Sequence, residues 1–67
     1  MKLYTTTEFS KIITSSKNEI EITDLMEYVF INAVAIIKTY GCSYYNLLTY
    51  SITEKMRQFD YDNSTAN

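Results

Sequence analysis

The sequence predicts an all-α fold: a compact three-helix protein, with helices at about 6–16, 24–40 and 44–59, that pairs with a second copy as a helical homodimer. Three observations lead there. The 67 residues hold no proline and a single glycine, so little in the chain interrupts a helix. Apolar residues recur at helical spacing in three stretches separated by polar ones. The middle stretch is apolar on nearly every side, which two flanking helices of so short a chain cannot easily cover.

The first element is announced by "YTTTEFSKII". Thr5 and Glu8 have the spacing of a capping box, and Tyr4 and Phe9 flank them as a hydrophobic staple. Phe9, Ile12 and Ile13 supply the apolar face. The run "TSSKNE" holds weak helix formers that end the helix near Ser16. "EIEI", residues 19–22, alternates like a strand but has no partner to pair with. It is expected to be an extended connector whose Ile20 and Ile22 plug the core.

Thr23 is the expected N-cap of the second helix, with Asp24 and Glu27 in the first turn, where the helix dipole favours negative charge. Leu25, Val29, Ile36 and Tyr40 form one side of it, extended by Phe30, Ala33 and Ile37. The opposite side, Glu27, Ile31, Val34 and Lys38, is apolar in its middle. Asn32, alone among apolar neighbours, suits a polar residue that fixes register in a helix contact. Gly41 is the expected stop, with Cys42 packing back on Ile37, and Ser43 caps the third helix. In that helix Tyr45, Leu48, Ile52, Met56 and Phe59 have core spacing, while Tyr44, Leu47 and Tyr50 fall partly off the stripe. Residues 1–67 form one domain, with 60–67 a polar, frayed tail.

Composition narrows the chemistry. A single cysteine excludes an internal disulfide, and the absence of histidine excludes a zinc site of the usual Cys/His kind. No cofactor is expected. The net charge is −2, with −4 concentrated in residues 18–27. Glu19, Glu21, Asp24 and Glu27 lack the order of an EF-hand loop, so they read as a solvated acidic patch able to meet a basic partner. Cys42 lacks the imidazole that activates a catalytic thiol and reads as a turn residue. No enzyme activity is expected.

The apolar run from Tyr28 to Ile37 is about half the roughly 20 residues of a membrane span. With no apolar segment after Lys2 to serve as a signal peptide, and with a free cysteine, a cytoplasmic protein of a bacterium or its host is expected. The chain also lacks the Lys/Arg stripe of a nucleic-acid binder.

The opening "LYTTTEFSKII" is similar to the start of the helix-turn-helix in small excisionase and MerR-type regulators. The resemblance stops after eleven residues, because "TSSKNEIEI" is acidic where a recognition helix should be basic and polar. It implies a small helical DNA-binding regulator as the alternative function.

The favoured expectation is a small non-catalytic interaction module. Its partners are a second copy of itself and a larger host or cognate protein, which it occludes in the manner of a phage or mobile-element inhibitor or adaptor of defence or transcription machinery. Tyr28, Ile31, Asn32, Val34, Tyr44, Tyr45, Leu47 and Tyr50 are the expected interface, since aromatic rings bring large contact area at low entropic cost.

Overall fold

The computed structural model of the protein describes residues 2–65, with side-chain surroundings for residues 2–61. Four helices follow in order: α1 (Thr6–Ser15), α2 (Glu19–Ile31), α3 (Ala33–Tyr40) and α4 (Cys42–Thr65). The all-α class is as expected, but four helices replace three.

α1 starts where its cap signals lie. Thr5 Oγ1 accepts from the Glu8 N–H at 3.1 Å, and Glu8 Oε1 accepts from the Thr5 N–H at 2.9 Å, closing the capping box. The Tyr4 and Phe9 rings meet edge to face, 5.6 Å apart, as the staple. At the other end Ser16 Oγ donates to the Ile12 carbonyl at 2.7 Å and turns the chain out of the helix.

The second helix departs from expectation at both ends. It begins at Glu19, so "EIEI" is helical rather than an extended connector, and Asn18 rather than Thr23 is the N-cap. Asn18 Oδ1 accepts from the Glu21 N–H, while Glu21 Oε1 reaches back to the Lys17 N–H at 3.2 Å. These two contacts satisfy donors that a start at Thr23 would leave open. Helical spacing then overrides the alternation: Ile22 is buried with Leu25 and Val29, whereas Ile20 is 72% exposed and plugs nothing.

The expected continuous helix to Tyr40 breaks at Asn32, whose φ of −104° and ψ of 17° leave helical values. Its Nδ2 donates to the Tyr28 carbonyl at 2.9 Å, and its own N–H donates to that same carbonyl at 3.0 Å. Such local side-chain bonding competes with the helix ladder. Continuity survives across the break, because the Ile36 N–H still reaches the Asn32 carbonyl at 2.9 Å.

Gly41 ends α3 as expected. It alone among the described residues has positive φ, 101°, and its N–H donates to the Ile37 carbonyl at 2.8 Å. Its carbonyl then accepts from the Tyr45 N–H at 3.1 Å, so α4 restarts at Cys42 and Ser43 lies in its first turn rather than at the cap. α4 also continues past Phe59 to Thr65, since nothing in 60–65 forbids a helix; residues 66 and 67 of the expected tail lie outside the described residues.

α4 packs against all three other helices. α2 runs beside its later part, where Glu19 meets Asp60, and α3 beside its start, where Tyr40 meets Tyr44. The pair α2–α3 is therefore an interrupted helix lying antiparallel along α4, with α1 packed on α2 and α4. The core is Phe9, Ile22, Leu25, Val29, Ile36, Leu48 and Ile52. Tyr45, Met56 and Phe59 complete the expected α4 stripe as half-buried neighbours.

Candidate functional site

The expected interface residues separate into two groups. Tyr28, Tyr44 and Tyr45 are half-buried and packed on the protein's own core. Tyr28 and Tyr44 belong to a ring cluster: Tyr28 lies 4.5 Å from Tyr4 and 6.1 Å from Phe9, and Tyr44 lies 6.3 Å from Phe9 and 5.2 Å from Tyr40. Burial, then the neighbouring Tyr40, pushes the Tyr44 phenol above its ordinary value.

Two hydroxyls of this cluster hold the segment before α1. The Tyr4 N–H donates to Tyr28 Oη at 3.2 Å, and Tyr40 Oη donates to the Tyr4 carbonyl at 2.8 Å. One peptide-bonded residue is thus gripped from α2 and from α3. Sequence periodicity carries no sign of this grip, because it links positions 24 and 36 residues apart.

Asn32 is 6% exposed, and its Oδ1 has no hydrogen-bond partner. It faces inward. Ile31 and Val34, by contrast, are 78% and 68% exposed. Phe30, expected to extend the core side, is instead 60% exposed beside them. Its position 100° round the helix from Val29 is the signal that it lies at the edge. These three side chains make an apolar face on the outside of α2–α3.

Leu47 and Tyr50 are exposed on α4, and Tyr61 recurs on the same side of that helix. Tyr50 walls a groove of about 390 Å³ between α1 and α4, together with Ile13, Thr14, Glu54, Lys55 and Gln58. Through Glu54 and Gln58 it adjoins a second depression of about 470 Å³ that reaches Arg57 and Tyr61. The Arg57–Glu54 ion pair, 3.3 Å long, lies along it. This surface mixes rings with both signs of charge, the composition of a protein-binding rim and anchor.

The four acids do not share one surface. Glu19 faces Asp60 of α4, and the hydrogen bond the two carboxyls make when they share a proton, followed by their mutual repulsion when both are ionised, raises its proton affinity. Glu21 and Asp24 line a cleft of about 260 Å³ with Tyr4, Ile12, Leu25 and Tyr28. Glu27 is exposed on the outer side of α2. Among the described residues no three acids, cysteines or histidines are placed to hold a metal ion, and Cys42 is a free, exposed thiol. No described helix is long and apolar enough to cross a membrane.

The fold and these surfaces define a small all-α chain with apolar side chains on the outside of α2, α3 and α4. No family model, curated protein or solved structure matches it.

Proposed function

We propose that the protein is a small non-catalytic interaction module that binds and occludes a larger protein through the outer face of α4. The observation that carries this reading is the exposure of Leu47 and Tyr50, 60% and 64%, about one helical turn apart on α4, with Tyr50 walling a groove of mixed charge. Large apolar side chains gathered at a concave surface mark binding sites, and tyrosine is a frequent anchor in them. The tyrosine- and isoleucine-rich composition suits an AT-rich bacterial or phage genome, which favours an inhibitor or adaptor directed at host defence or transcription machinery.

DNA regulation is less well supported. The helix that follows α1 across its short turn, where a recognition helix would lie, opens with Glu19 and Glu21.

The test compares capture from host lysate by the immobilised wild-type chain with capture by a Leu47→Asp, Tyr50→Ala variant. A protein retained by the wild type and lost from the variant, with helicity and melting temperature unchanged, is the expected result. An identical captured set defeats the proposal. Retardation of DNA in a low-salt gel shift would favour the regulator instead.

A further inference from the structure

We infer that a second copy of this chain covers the outer face of α2–α3, antiparallel, about a two-fold axis beside the Asn32–Ala33 junction. This rests on the reading of the protein as a binding module and names the occupant of a face that the α4 groove does not use.

Val29 and Ile36 are fully buried, and Ile31 and Val34 lie on the opposite side of the same helical path, exposed to 78% and 68%. The backbone bonds into and out of Asn32 keep that path continuous enough for one face to run across the break.

The face has a symmetry that a twin can use. Outward from the junction, Ile31 is matched by Val34 and Glu27 by Lys38, at equal distances on either side. A two-fold axis there sets Ile31 on Val34 of the second copy and brings Glu27 to Lys38, with the Phe30 ring at the flank of the contact. Each contact occurs twice, as in any isologous interface.

Charge selects the direction. A parallel pairing would oppose Glu27 to Glu27 and Lys38 to Lys38, whereas the antiparallel one makes two ion pairs. Both side chains are exposed, and among the described residues neither is engaged in an ion pair of its own chain. A foreign partner gives no reason for the two halves of the face to mirror one another.

The contact is small, so it belongs with weak interfaces and calls for high concentration. Sedimentation equilibrium of the full chain up to about 1 mM should show a monomer–dimer equilibrium. Glu27→Lys alone and Lys38→Glu alone should each weaken it about tenfold or more, through two lost ion pairs and new like-charge contacts.

Mixing the two single variants should restore association as a heterodimer, since one then carries two lysines where the other carries two glutamates. The double exchange E27K/K38E should restore the homodimer. Ile31→Asp should leave a monomer with unchanged circular dichroism. The inference is overturned if the wild type stays monomeric, if the single reversals leave the equilibrium unmoved, or if mixing fails to rescue them. Lysate capture separates the two proposals: a wild type that captures a protein yet stays monomeric overturns only the twin, and a rescued dimer without capture overturns only the α4 surface, because the Glu27→Lys and Lys38→Glu chains both keep Leu47 and Tyr50.

Discussion

At the scale of single residues, the tyrosines divide according to what their hydroxyls find. Tyr28 and Tyr40 spend their ring area and their oxygens on holding Tyr4, whereas Tyr50 lies in the open at a groove. Sequence pattern identified Leu48 and Ile52 as core because helical spacing reports burial directly. It could not sort the tyrosines, because an amphipathic ring fits a core edge and an interface equally well. The grip on Tyr4 has a measurable consequence. Tyr40→Phe keeps the ring and removes only the donor to the Tyr4 carbonyl, which should lower stability by about 1 kcal/mol. In a chain of this size that is a fall of roughly 4–8 °C in melting temperature. Tyr50→Phe, which deletes a hydroxyl on an exposed ring, should shift it by much less. Equal melting temperatures for wild type and Tyr40→Phe would show that the 2.8 Å bond contributes nothing.

At the scale of elements, legibility follows how local the cause is. The start of α1 and the stop at Gly41 were readable because a capping box and a single glycine act within a few residues. The start of α2 was misread because Asn18 and Thr23 are both acceptable caps. The choice falls to the reciprocal contacts of Asn18 and Glu21, and a helix from Glu19 buries Ile22, which the sequence does place in the core, while it turns Ile20 out to solvent. The break at Asn32 was half visible. Its polarity among apolar neighbours marked it, but an inward-facing side chain that bonds the Tyr28 carbonyl differs from the register-fixing contact expected. The unpartnered, buried Oδ1 makes Asn32 a destabilising choice for the monomer. Asn32→Leu, close in size and a better helix former, should therefore join α2 to α3. An increase in helical ellipticity and a gain of about 1 kcal/mol in urea unfolding are the expected readings. A loss of stability would mean that the break is required by the packing of α3 on α4.

At the scale of the whole molecule, α4 is the spine, its 24 residues spanning about 36 Å of a body 43 Å long. Its far end carries a repulsive contact invisible in the sequence, since Glu19 and Asp60 are joined only by the antiparallel course of α2 along α4. The expected acidic patch had placed Glu19 with Glu21 and Asp24 by proximity in the chain, and folding separates them. The two perturbed carboxyls then act in opposite senses on acidification. The hydrogen bond from the Thr5 backbone holds Glu8 below its ordinary value, so its contribution to stability is present at neutral pH and is lost as pH falls through that lowered value. The hydrogen bond to Asp60 raises Glu19, so the folded state binds a proton there more readily than the unfolded chain. Stability is therefore reduced at neutral pH and recovered as pH falls through the raised value. Glu19→Gln removes that repulsion. It should unfold at a higher urea concentration than the wild type near pH 7, and the two midpoints should converge as the pH falls through the raised Glu19 value and past the ordinary carboxylate range. Glu8→Gln should show the reverse order, less stable than wild type at neutral pH and equal to it in acid. A constant offset between Glu19→Gln and wild type across the whole titration would show that the Glu19–Asp60 contact is not the source of the difference.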